Sequence, residues 1–276
     1  FVITRSSVQQ KNTVAAVETG TDYDLWGFFE NVSQGALLDT GLLPLDGTGL
    51  LAIRQCFDHQ QIVFQHKPDR YYVTWGARER DKNAKTYHVA QPWRIVIGDL
   101  VKGNLLGARH FYSPTPITEP DQPLYHVNLP NLNCRGYGGT SVGWMCLYHN
   151  ANWSGLSLAQ KVRELVHRAG GGEAYNDANM SGTDGARFYQ SARKPSYFWN
   201  PVEWEKKTKA DGVDWTLDTN LLIPILVNGI DDQNAHNPQG IPLTLEMAML
   251  GGYNAYYRDP TQPKPVNALA RKDLVD

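Results

Sequence analysis

Cys146 lies in the run WMCLYHN, with Leu147 and Tyr148 between it and His149. A thiol attacks as its thiolate, so a reactive cysteine needs partial exposure and a positive or hydrogen-bonding neighbour, which His149 could supply. The plainer reading is that Cys146 is a small buried core residue, as free cysteines usually are, and that His149 is a solvated loop histidine. Upstream, Asn131 follows Pro130 and reads on its own as a turn residue. Downstream, Trp153 stands at the entrance of a helix, where a core aromatic is the ordinary expectation. Cys134, Cys146, His149 and His126 are all zinc-ligand types, yet there is no Cys-x-x-Cys pair and only one Cys-x-x-His, so no metal site is expected. Asp231 and Asp232 with His236 fall in a Gly/Asn-rich segment and read as a surface turn. No phosphate-binding glycine motif, hydrolase elbow or HExxH is present.

The best-signed element near Cys146 is the helix that follows it. Ser157 and Gln160 form a capping box, Leu158, Val162, Leu165, Val166 and Ala169 recur on one face, and Gly170 supplies the stop. Before the site, LLAIRQCF, QIVFQHK, RYYVTWGA, WRIVIGDL and LLGARHFY are short runs rich in β-branched and aromatic residues, which predicts an antiparallel meander with the polar RERDKNAKT as a connection. Lys102-Gly103-Asn104 is the clearest hairpin turn. Residues 113–123 hold four prolines and read as an extended loop or spacer. After Gly170–Gly172, EAYNDANMSGTDGARFYQSARKPSYFWNP predicts a long loop with exposed aromatics. A short helix is expected over Val202–Lys209, with Asn200 as cap and Pro201 at the first position. NLLIPILVNG predicts a buried strand or short helix broken at Pro224, and Thr244 opens a further helix over Leu243–Tyr257. Three regions result: an extension of short strands and turns over residues 1–50, an α+β core over 51–200, and a helical and loop extension over 201–276.

Composition narrows the function classes. A hydrophobic fraction of 41% and a charged fraction of 20% belong to a folded chain, and 276 residues can bury a sizeable core. The net charge of −2, with 26 scattered basic residues, gives no field for phosphate backbones, so nucleic acid is not an expected partner. No apolar run reaches the length of a membrane helix, and FVITRSSVQQ lacks the features of a secretory signal. Three cysteines, an odd number, argue against a disulfide framework. A reducing, cytoplasmic setting is the expectation.

The order of these signals resembles the ubiquitin-conjugating E2 enzymes. An apolar strand leads to a loop holding Pro130-Asn131, then a glycine-rich stretch, Cys146-Leu147, Trp153-Ser154 seven residues on, and the helix LSLAQKV. The resemblance spans about residues 90–170 and is nearest to the divergent prokaryotic E2-like proteins, including the B component of the PRTRC gene system. It implies an E2-like α+β fold and acyl transfer in which Cys146 carries a ubiquitin-like modifier as a thioester. Asn131 would donate to the oxyanion, Leu147 and Trp153 would frame the groove for the modifier's tail, and His149 or Tyr148 would orient or desolvate the attacking amine. The implied partners are a ubiquitin-like protein and an E1-like activating enzyme, which consumes the ATP; no cofactor is implied here. Leu129 stands where the family has His and Gly155 where it has Pro, and Cys146 comes fifteen positions after Asn131. The path of residues 133–144 therefore decides whether Asn131 can serve Cys146. The alternative is a catalytically inactive E2 variant serving as adaptor or structural subunit. Its motive is the aromatics in polar segments, Tyr197, Phe198, Trp199, Trp204, Trp215, Tyr253, Tyr256 and Tyr257, which suit protein contacts.

Overall fold

The computed structural model describes residues 38–39, 42, 49–56, 59–75, 85–129, 132, 142–145, 153, 155–169, 185–227 and 239–249. Its strands are β1 (Leu38–Asp39), β2 (Leu50–Cys56), β3 (His59–His66), β4 (Asp69–Trp75), β5 (Lys85–Gln91), β6 (Trp93–Val101), β7 (Asn104–Ser113), β8 (Leu226–Val227) and β9 (Ile241–Pro242). Its helices are α1 (Leu158–Ala169), α2 (Gly185–Ser191) and α3 (Pro201–Asp211). The helix expected over Leu243–Tyr257 is present in its described part as a helical turn over residues 245–249, where Thr244 Oγ1 accepts from Met247 N; residues 250–257 lie outside the described residues. The architecture is α+β. The main sheet is antiparallel in the order β1-β2-β3-β6-β7, and among the described residues β4 and β5 pair only with each other. None of the helices among the described residues is long and apolar enough to cross a membrane.

The central strands are apolar on both faces because both faces are covered. Side chains alternate sides along a strand. Ile62, Phe64, Val96, Ala108 and Tyr112 thus meet Leu165 and Ala169 of α1, Tyr189 of α2 and Trp204 of α3 in one cluster. Val63, Ile95, Ile97 and Phe111 meet Ile117, Leu124, Ile225, Leu243, Leu245 and Ala248 in another. The segment after residue 200 contributes to both clusters. Helix α1 lies close over β6: a methyl group at Gly98 would stand 2.5 Å from Leu165 Cδ2.

The β6–β7 hairpin turns at Lys102 and Gly103 with φ of 50° and 77°, the pair of positive values a two-residue hairpin uses. The meander differs from the expected one in a single respect. β3 pairs with β6, and β4 leaves the sheet to form a hairpin with β5, whose first residues Lys85 and Thr86 belong to the polar stretch read as a connection. That strand is masked in sequence because Lys85–His88 is exposed to half-exposed. Its outer edge is satisfied by helix side chains: Trp204 Nε1 donates to the Ala90 carbonyl at 2.8 Å, Thr208 Oγ1 accepts from Ala90 N at 2.8 Å, and Glu205 accepts from His88 N at 2.9 Å.

Three further expectations are revised or refined. The proline-rich stretch is pinned rather than free, since the Gln65 side chain donates to Ile117 O and accepts from Ile117 N, standing in for a neighbouring strand. The long loop before Pro201 contains α2 and a 3₁₀ turn over Ser196–Phe198. Three of its described aromatics face inward: Phe188, Tyr189 and Phe198 are buried, and Phe198 packs against Tyr189, Trp204 and Trp215. Tyr253, Tyr256 and Tyr257 lie outside the described residues. α3 matches its expected cap, with Asn200 Oδ1 accepting from Val202 N and Glu203 N, and Pro224 precedes the two-residue β8.

Candidate functional site

After β7 the chain returns along that strand's outer edge. Tyr125 pairs with Tyr112 through two backbone hydrogen bonds of 2.9 Å. Farther along the same edge, His110 N donates to Gly143 O and Met145 N to Ala108 O, each at 2.9 Å, so residues 143–145 act as a short added strand. Gly143 is required there, because its φ is +81° and a methyl group would lie 2.4 Å from Phe111 Cε1. Met145 in turn forms an antiparallel bridge with Leu132, and both side chains are buried.

Asn131, Cys146, Leu147, Tyr148 and His149, together with Cys134, lie outside the described residues, as do Asp231, Asp232 and His236. Trp153 is described. It is 2% exposed and belongs to the α1-side cluster. Its backbone N donates to Asn104 Oδ1 at the β6–β7 hairpin, and its carbonyl accepts from Leu156 N, which fixes the entry to α1. There Ser157 N donates to Gln160 Oε1 and Gln160 N to Ser157 Oγ, the reciprocal capping box read from sequence. His126, one of the zinc-type residues, packs its ring 4.4 Å from Phe188.

Two buried polar groups on the sheet were not singled out from sequence. On the side of the 245–249 turn, Asp99 is fully buried. Arg109 Nη2 lies 3.2 Å from its Oδ2, while Gln61 Nε2 donates to its Oδ1 at 2.8 Å and His59 Nε2 lies 3.4 Å from that oxygen. Burial pushes the Asp99 carboxyl up, but Arg109 and the groups from His59 and Gln61 outweigh it and hold it below the usual carboxylate range. Gln61 also donates to Met249 O, and Arg109 to Ala248 O, tying the 245–249 turn to the sheet.

On the α1 side, His66 of β3, Arg94 of β6 and His110 of β7 share one face, since His66 pairs with Arg94 and His110 with Val96 in register. Burial and the nearby Arg94 lower His66 to about 4. Burial, Arg94 and His66 likewise lower His110 well below the ordinary imidazole value. Both groups were present in the sequence as polar residues interrupting apolar runs: Asp99 in WRIVIGDL, Arg109 and His110 in LLGARHFY. No protein-family model, curated protein or solved structure matches the chain.

Proposed function

We propose that the chain has an E2-like core and carries a ubiquitin-like modifier on Cys146. In the first step the thiolate of Cys146 attacks the modifier's C-terminal thioester on an activating enzyme, whose own thiol leaves. In the second an amine attacks the new thioester, the C–S bond breaks, and Cys146 is released as the amine nitrogen loses a proton. Asn131 donates to the oxyanion of both tetrahedral intermediates. His149 or Tyr148 orients the amine, and Leu147 flanks the modifier's tail.

The observation that carries this reading is the Leu132–Met145 bridge. These two residues are the immediate neighbours of Asn131 and Cys146, and they stand opposite each other at the base of the long interval. A meander, a return segment on its last strand and a capped helix over the sheet also come in the order the resemblance requires. The inward packing of Phe198 and Trp204 removes part of the motive for a purely adaptor role.

The test is incubation with a ubiquitin-like protein, its activating enzyme and ATP. A thiol-sensitive adduct that Cys146→Ser abolishes supports the reading; an adduct that survives Cys146→Ser, or none with any pairing, overturns it.

A further inference from the structure

Two arginines are buried in the main sheet, and only one is answered by a carboxylate. Arg109, at 0% exposure, meets Asp99. Arg94, at 1% exposure, projects from the opposite face, and its Nε and Nη1 have no hydrogen-bond partner among the described residues. Tyr71 of β4 covers it, with the guanidinium carbon 3.5 Å from the ring centre. That stacking occupies the face of the guanidinium and leaves the in-plane N–H groups on Nε and Nη1 unused. Every guanidinium nitrogen is a donor, so relabelling the guanidinium's own atoms does not satisfy them.

The surroundings repeat the same deficit. Gln91 is fully buried; its Oε1 lies 3.4 Å from the Tyr112 hydroxyl, and its Nε2 has no partner. Both ring nitrogens of the buried His110, and Nε2 of His66, are likewise without partners. Tyr112 donates to Asn128 Oδ1 at 2.8 Å, which leaves the asparagine oxygen engaged elsewhere. The groups converging from β3, β6, β7 and the end of β5 are thus a positive charge, an amide donor and two imidazoles. No Asp or Glu among the described residues pairs with Arg94. Buried donors normally have acceptors, and a buried charge without a partner is costly enough that a fold retains one where something answers it.

We propose that Arg94, Gln91, His66 and His110 form a binding site for a small oxyanion, a carboxylate or phosphate group, met by the in-plane donors of Arg94. Arg94 supplies the charge and the paired in-plane donors that suit a planar or tetrahedral oxyanion. Gln91 supplies a neutral donor, and each imidazole can donate through one nitrogen. The site is on the α1 side of the sheet and stands independently of the acyl-transfer reading.

The test is titration of the full chain with inorganic phosphate and, separately, with acetate, against sodium chloride at matched ionic strength. Binding is followed by calorimetry and by the ring proton resonances of His66 and His110. The expected result is saturable binding of one or both anions, accompanied by an upward shift of the His66 titration. Arg94→Met weakens that binding on the order of tenfold or more, and Gln91→Leu does so to a smaller degree, as loss of charged and neutral donors respectively requires. Tyr72→Ala, on the exposed side of β4, leaves it unchanged. Saturation by phosphate alone identifies a phosphate-type ligand, and saturation by acetate alone a carboxylate. If Arg94→Met does not fold, the histidine resonances of the unaltered chain still decide the matter. Resonances that respond no more to phosphate or acetate than to chloride overturn the proposal.

Discussion

Asp99 Oδ2 and Arg109 Nη2 lie 3.2 Å apart with both side chains fully excluded from water, and each also reaches a second group that ties down the 245–249 turn or the neighbouring strand. Removing one partner leaves the other charged and buried, which generally costs about 3–5 kcal/mol. Asp99→Ala and Arg109→Ala are each expected to lower unfolding free energy by that order in urea titrations. The double substitution is expected to cost clearly less than the sum. Because Asp99 titrates below its usual range, its contribution is present above about pH 4 and fades as pH falls through the lower folded value.

The two histidines on the opposite face act in the window above that. His66 titrates at about 4 in the folded chain, against 6.5 for the unperturbed side chain, and His110 is also lowered. Between these values the unfolded chain binds more protons than the folded one, so stability falls as pH drops from 6.5 towards 4. The slope is up to about 1.4 kcal/mol per pH unit for each group. Thermal midpoints recorded across this range should decline steadily, and His66→Gln should flatten the decline.

Gly185 opens α2 against the backbone of Val127 and Leu129. A methyl group there would stand 2.1 Å from Val127 O and 2.5 Å from Leu129 O, contacts with backbone rather than with a mobile side-chain end. Gly185→Ala is therefore expected to destabilise by about 1–3 kcal/mol. Thermal unfolding measures it, and Gly155→Ala, which meets nothing within 4 Å, is the matched control.

Ser157 and Gln160 exchange hydrogen bonds at the start of α1. Ser157→Ala should cost about 1 kcal/mol, read from the denaturation midpoint. Gln160→Ala should cost less, because the serine oxygen still accepts from a backbone N–H.

The features visible in sequence were those that local rules dictate. The Lys102-Gly103 turn, the Ser157 capping box and the Asn200-Pro201 start each need only a few adjacent residues, and each stands where the spacing puts it. The main strands were legible from their apolar runs. β5 was not, because its exposed half resembles a loop and its partners are Trp204, Thr208 and Glu205, more than a hundred residues away. The inward turn of Phe198 was hidden for the same reason: an aromatic in a polar segment looks exposed until distant elements close over it. The partners of Asp99 and the isolation of Arg94 depend on strand register across β3, β6 and β7, which pattern reading does not supply. For the candidate site, sequence placed Trp153 at the helix entrance, while the Leu132–Met145 bridge is a pairing across thirteen positions that no local signal encodes.

The hydrogen bond from Gln61 to the Met249 carbonyl joins residues 188 positions apart. During synthesis β3 is made early, yet the cover of the sheet face carrying Val63, Ile97 and Asp99, begun by Ile117 and Leu124, is completed only when Leu243, Leu245 and Ala248 have emerged. Closing contacts over such separations is slow, and an uncovered apolar face is an opening for aggregation. The α1-side cluster has its last member at Leu222, so in a nascent chain the opposite side is the last to gain its cover, and the interval before residues 243–249 arrive is the one in which a chaperone has an apolar face to bind.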